Sequence, residues 1–543
     1  MAKSLSRDGR KTADGPRGLL DRIRDTPHLA HVIPRLQPEV LHRMIETCGL
    51  EDCSDLVAMA TPDQLQRVFD LDLWRAEHPG LDQQLDADRF GVWLEVLMDA
   101  GPAVAAQKLM GMDVELVVAA LSQHLRVFDA AAASPYTTLD GERMVPEGIG
   151  EDNADGEVGG YLIEARRTGA WDAIVDLLAF LDGEHASYFH RIMRGCCDLS
   201  DSAPEIDGLH DLLGAREQDM FDVTVDREER RGKTGFVAPA DARAFLQSAR
   251  QLRLDERAAP VPSPVARAYF QEIEAASPTD ESSPSNAGLL PAVAGETPAP
   301  DECADALAAV VELLTDAGVV AQPRALLHGS EQARPQLTRI QHRLRSALES
   351  DRGAYSARTQ ELAYLANVIV AGCSIQARAF TARESSEAAA AICNLGLENW
   401  PRHWPMSKDL IGVFQVGWTI LHDEVCMPAA GQLLTDLTKV QCGDGETQAS
   451  IETLRVEMTK QWRAGTPWRA REALEVIAIL DLPAWAGLLC LIDECPVIHG
   501  SIAAAQIPTT RTIDPSAFTF ISENKQIAVV QLFLQSLASR LRP

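Results

Sequence analysis

From residue 17 to residue 129 the apolar side chains return at three- and four-residue steps, and the breaks between runs carry helix-start and helix-stop residues. Leu19, Leu20, Ile23, Leu29, Val32 and Ile33 form the first two runs, divided at Thr26-Pro27. Pro38 opens the next, through Leu41, Met44 and Ile45, and Gly49 closes it. Leu56, Val57, Ala60, Leu65, Val68, Phe69, Leu71 and Leu73 continue the pattern across Thr61-Pro62-Asp63, where Thr61 suits an N-cap and Pro62 the first helical position. Asp88 to Ala100 follows, with Phe90, Val92, Trp93, Val96 and Leu97 on its apolar face and Gly101-Pro102 at its end. Pro102 to Met110 is Ala-rich, and Asp113 then caps a run whose Leu116, Val117, Ala120, Leu121, Leu125 and Phe128 read as one helical stripe. Helices this short cannot bury such stripes alone, so they must stack in pairs, as in a helical-repeat domain.

After Asp129 the pattern changes. Ala130 to Gly160 is rich in Gly and acidic residues, and the short β-type runs Tyr136-Thr137-Thr138-Leu139 and Tyr161-Leu162-Ile163-Glu164 predict a small hairpin around it. Helices resume at Trp171 to Leu181 and Glu184 to Cys197. The charged run Asp222 to Lys233 reads as a solvated helix face, or as an anion-binding cluster of Arg227, Arg230 and Arg231. Pro239-Ala240-Asp241 starts a further helix. Eight prolines between 258 and 300 mark a linker with one short helix at Val265 to Ala276. Helical spacing returns at Ala304 to Ala317, Leu337 to Leu348, Arg358 to Phe380, Ser386 to Leu395, Leu410 to Val425 and in a final helix capped by Ser522. Small residues such as Ala371, Gly372, Ala377 and Ala379 allow neighbours to approach closely. The expected fold is all-α: a tail (1–16), a helical-repeat domain (17–129), an acidic insertion with a hairpin and continuing helices (130–257), the linker (258–300) and a C-terminal helical bundle (301–543).

Charge narrows the choice of partners. With 79 acidic and 50 basic residues the net charge is -29, which repels phosphate backbones and anionic membrane surfaces and favours basic proteins or divalent cations. Eleven cysteines without a C-x-x-C pair, behind a polar start that lacks an apolar leader, read as reduced thiols in a cytoplasmic protein. The most apolar window, Leu474 to Ile492, contains Glu475, Asp481 and Pro483, so core helices are expected there and no membrane span.

The stretch LVAMATPDQLQRVFDLDLW, residues 56–74, resembles the N-terminal cytoplasmic helical domain of MgtE-type magnesium transporters and its flagellar-motor relatives, over roughly 30 to 129. That resemblance implies a superhelical fold that binds a partner and holds cations on acidic patches; no transporter membrane domain is recognisable, so transport is not implied. GFVAPADARAFL (235–246), AGCSIQARAF with AICNLGLENWP (371–401) and TPWRAREALEVIAILDLPAWAGLL (466–489) are similar to a family of uncharacterised bacterial proteins of about this length, a likeness that implies no activity.

Candidate chemistry is sparse. His422-Asp423-Glu424 is the densest group of acids and bases, and His403 sits in a Trp-Pro loop between Trp400 and Trp404. An enzyme site made of His403, His422 and Glu424 requires these side chains to converge within hydrogen-bond reach. Glu151, Asn153 and Asp155, followed by Gly156, match the start of a calcium loop, but Leu162 falls where the bidentate Glu belongs. His185 and His190, next to Cys196 and Cys197, lie about 140° apart on a helix, the wrong angle for a shared ion. Cys490, Cys495 and His499 lack a nearby fourth ligand. The nucleotide, phosphate-loop, zinc-protease and hydrolase spacings are missing. The leading expectation is therefore a soluble, non-catalytic helical-repeat scaffold or adaptor that binds a protein partner, with no cofactor, nucleic acid or membrane. The alternatives are an enzyme with a dispersed C-terminal site and a divalent-cation-responsive regulator.

Overall fold

A computed structural model of the chain describes residues 16–76, 79–130, 154–200, 215–232, 235–250, 266, 269–270, 300–317, 338–375, 378–400, 409–437, 445–464, 483–499, 502 and 518–540. It is mostly helical with a few short strands. Two compact units are present: Met1–Arg75 with Gln84–Glu229 and Ser282–Pro323, and Ala76–Gln83 with Arg230–Glu281 and Arg324–Pro543.

The first unit runs through α1 (Pro16–Arg24), α2 (Leu29–Val32), α3 (Pro38–Cys48), α4 (Ser54–Met59), α5 (Pro62–Asp72), α6 (Ala87–Asp99), α7 (Pro102–Met110) and α8 (Val114–His124). Their starts follow the caps in the sequence. Thr61 and Gln64 form a capping box on α5, and the Gln64 amide also donates to the carbonyls of Ile33 (2.9 Å) and Leu36 (2.7 Å). One buried side chain thus both starts a helix and ties it to an earlier turn. Asp86 caps α6 through the Arg89 N–H, and Asp113 caps α8 through that of Glu115. Phe69, Phe90 and Trp93 pack edge to face where α5 meets α6.

The expected helix from Asp113 to Phe128 is corrected here: α8 stops at His124, and Leu125–Asp129 is strand β3. Leu125 and Val127 are buried while Arg126 is exposed, so a period of two takes over from the helical one. A short ribbon of β1 (Trp74–Arg75) and β2 (Gln84–Leu85) precedes it, and β4 (Ala154–Val158) and β5 (Tyr161–Ala165) follow. The predicted run at Tyr161 is β5, paired antiparallel with β3 and β4 in a three-stranded sheet; its expected partner, Tyr136 to Leu139, lies outside the described residues.

Helices α9 (Trp171–Glu184), α10 (Ala186–Ser200) and α11 (Ala215–Gly232) come next. Arg227 on α11 departs from the expected solvated face: it is buried, its Nε donates to the Asp70 carbonyl (2.8 Å), and its guanidinium lies 4.5 Å from the Trp74 ring centroid. The helix Pro300–Asp316 packs against α1 and α2, with Ala306, Val310 and Leu314 buried in the same core.

The second unit contains α12 (Pro239–Arg250), α13 (Thr338–Ser350), α14 (Arg352–Gly372), α15 (Ala382–Asn399), α16 (Leu410–Leu421), α17 (Met427–Leu437), α18 (Gly445–Ala464), α19 (Pro483–Ile492) and α20 (Asn524–Arg540), plus a ribbon of β6 (Val497–His499) and β7 (Phe518–Phe520). Every residue of α16 is buried, which makes it the central helix and explains its apolar character on all sides. The continuous helix expected over Arg358 to Phe380 ends at Gly372. A fresh capping box at Thr381 and Glu384, with Arg378 paired to Glu384, starts α15 instead. The helix expected to Val425 changes after Leu421 into a π-helical turn, His422–Cys426. The expected Ser522 cap is corrected at α20: the Ser522 hydroxyl donates to Gln526 Oε1, which also accepts from the backbone N–H groups of Ser522 and Glu523. Ala266, Tyr269 and Phe270 are helical within the expected Val265 to Ala276; the rest of that segment lies outside the described residues. No helix among the described residues is long and apolar enough to cross a membrane.

Candidate functional site

Helix α6 presents Glu95, Met98 and Asp99 on one face, because steps of three and four bring them into line. Helix α9 presents Asp172, Asp176 and Phe180 by the same rule, with Trp171 beside them as its first residue. Between them lie Pro102 and the turn from Ala165 to Ala170, and together these groups line an open groove of about 1000 Å³. Met98, Pro102, Trp171 and Phe180 supply apolar surface; Glu95, Asp99, Asp172 and Asp176 are exposed around it. None of the four carboxylates is paired with a basic side chain among the described residues.

The turn is held by three devices. His124, at the end of α8, is buried; its Nε2 contacts the Ala87 carbonyl (2.8 Å) and its own carbonyl accepts from the N–H groups of Arg166 (2.7 Å) and Arg167 (3.2 Å). Gly91 on α6 leaves the space that His124 and Ala170 occupy: a Cβ there would sit 3.1 Å from the Ala170 Cβ and 3.2 Å from His124 Cε1. Arg167 also reaches Asp88 at 2.6 Å. Ala170 then enters α9 from the left-handed region, at φ 57°, a conformation that costs a non-glycine residue about 1 kcal/mol or more and persists because the contacts around it demand it. Burial keeps the His124 ring below the ordinary imidazole value, so it is neutral at physiological pH.

Residues 14–203 match a family of unknown function, DUF6178. Every residue that lines the groove lies inside the matched segment. No curated protein and no solved structure matches the chain.

The lining has the chemistry of a cation receptor. Thr168 is the single hydroxyl among the lining residues, and they include no imidazole, thiol or amine. Carboxylates take the charged head of Lys or Arg, while indole and phenyl faces take its aliphatic stem or the guanidinium plane. Sequence spacing could not reveal this site, because its halves lie on α6 and α9 with the described strands β3, β4 and β5 between them. The available signal was a pair of acidic i,i+4 steps, Glu95/Asp99 and Asp172/Asp176, each beside an apolar stripe.

The residues expected from sequence are placed as follows. His422, Asp423 and Glu424 share the π-helical turn of the second unit, with His422 Nδ1 3.3 Å from Asp423 Oδ1. Burial, helped by the Arg250 charge, lowers the His422 pKa. His403 and Trp404 lie outside the described residues, as do Glu151 and Asn153; Asp155 falls in β4. His185 ends α9, and the His190 ring packs 5.9 Å from Tyr161 and 5.4 Å from Phe189, so both serve in packing. Cys490 and Cys495 are buried. Among the described residues one group of metal-ligating side chains comes together, and spacing alone did not nominate it: His42, Glu46 and Asp72.

Proposed function

We propose that the chain is a docking protein, and that its first unit holds a Lys- or Arg-bearing segment of a partner protein in the groove between α6 and α9. One observation carries this reading: four exposed carboxylates, none paired with a basic side chain among the described residues, ring an apolar floor that contains an indole and a phenyl group. The apolar floor gains by receiving the stem of an amphipathic cation, while the exposed carboxylates at the rim select for its charge. The net charge of -29 draws basic partners from a distance and rejects acidic ones. In this reading the short helices α1 to α8, within residues 17–129, act as a helical-repeat scaffold.

The test is capture from the native cell. The full chain, immobilised, is expected to retain a protein that elutes as salt rises. A variant carrying Glu95→Gln, Asp99→Asn, Asp172→Asn and Asp176→Asn is expected to lose that protein while keeping its melting temperature, since all four side chains are exposed. Equal retention by both proteins would refute the reading.

A further inference from the structure

The groove leaves unused a cluster elsewhere in the first unit. His42 and Glu46 stand one turn apart on α3, and Asp72 closes α5. Asp72 Oδ1 lies 3.3 Å from His42 Nε2, and Glu46 Oε2 lies 3.7 Å from His42 Nδ1. One ligand atom from each residue lies within 4.8 Å of the other two. The second oxygen of Asp72 is fixed from α6, accepting from Arg89 Nε at 2.6 Å and Trp93 Nε1 at 2.5 Å.

We propose that His42, Glu46 and Asp72 form a three-ligand site for a divalent transition metal of the zinc class, with the remaining position left to water. Tetrahedral coordination with bonds of about 2.1 Å needs ligand atoms about 3.4 Å apart. The His42–Asp72 pair already has that separation. Glu46 rests against the opposite ring nitrogen, Nδ1, so it must swing across to the Nε2 side that faces Asp72; its side chain, 54% exposed, is free to do so, whereas His42 (14%) and Asp72 (11%) are set in place. An imidazole with two carboxylates suits zinc, cobalt or manganese, while an all-oxygen set would suit magnesium or calcium. Arg89 and Trp93 are the outer partners that orient a ligating carboxylate, and the Arg89 charge offsets one of the two acids. The site clamps α3 to α5 and is independent of the groove, since none of its residues lines it.

The test is zinc titration of the metal-stripped full chain by calorimetry. Thirteen histidines and eleven cysteines bring other zinc affinity, so the readout is the difference between proteins. The wild type is expected to bind one zinc equivalent more than His42→Gln and one more than Glu46→Ala. Glu46 is exposed on a helix, so its replacement leaves the fold intact. Trp93→Phe, which removes an outer hydrogen bond together with part of the indole packed against Phe69, is expected to weaken that equivalent about tenfold. The same stoichiometry and affinity in the wild type and Glu46→Ala would overturn the proposal.

Discussion

Gly417 lies in the buried helix α16, where it faces the backbone of α15. A Cβ added there would lie 2.1 Å from the Ile392 carbonyl oxygen and 3.1 Å from the Gly396 nitrogen. The contact is reciprocal, since a Cβ on Gly396 would lie 1.9 Å from the Val413 oxygen. Ordinary contact begins near 3.4 Å, so Gly417→Ala must part the two backbones by about 1.3 Å, the difference between 3.4 and 2.1 Å. No side chain can rotate away, because the obstacle is main chain. Overpacking costs roughly 1–3 kcal/mol when side chains can adjust; a shift of two central helices belongs at the upper end, about 3 kcal/mol. At roughly 2–4 °C per kcal/mol for a unit of this size, the melting temperature falls by about 6–12 °C. Scanning calorimetry on the full chain is expected to show one transition lowered by that amount. Retention of the basic partner at low temperature is expected to be unchanged, because the groove belongs to the first unit. A melting temperature within about 1 °C of the wild type would refute backbone-to-backbone packing of α15 and α16.

Three further outcomes are expected. The His124 ring titrates below its unfolded value near 6.5, so the folded state binds fewer protons; stability is whole above that pH and is lost as pH falls through it. His124→Phe is expected to lower stability by about 1–2 kcal/mol at pH 8 through the lost hydrogen bond, and to flatten the wild type's decline between pH 7 and 5; urea unfolding across that range checks both, and an unaltered slope would contradict the role given to His124. Arg227→Met strips the Asp70 carbonyl and the Trp74 face of their cation and is expected to cost about 2–3 kcal/mol in chemical unfolding; a loss below about 0.5 kcal/mol would show that Arg227 behaves as a surface residue. Trp171→Ala is expected to weaken partner retention while leaving its salt dependence in place, which a salt-gradient elution measures; simultaneous loss of the salt dependence would mean that the indole, and not the carboxylates, governs capture.

Local signals were legible in the chain wherever one residue type sufficed. Thr61 and Asp113 stand at helix starts because a short oxygen-bearing side chain satisfies an orphan N–H, a need that exists before any tertiary contact. Pro38, Pro62 and Pro102 open helices for an equally local reason. What stayed hidden depended on residues far apart. Leu125 and Phe128 satisfy a helical stripe while Leu125 and Val127 satisfy a strand, and only pairing with β5 selects the strand. Arg227 sits in a run of charges that looks solvated, and only the distant Asp70 carbonyl and Trp74 ring bury it. The groove and the His42 cluster likewise join separate helices. An i,i+4 pair such as His42 and Glu46 is common on helix surfaces and acquires meaning only when Asp72 arrives from α5.

Zero-length coupling of carboxylates to amines, followed by peptide mass spectrometry on the captured complex, tests the docking reading most directly. Lysines of the partner are expected to be joined to Glu95, Asp99, Asp172 or Asp176, the acids that border the groove. Coupling confined to acids away from α6 and α9, with these four left unmodified by the partner, would contradict it.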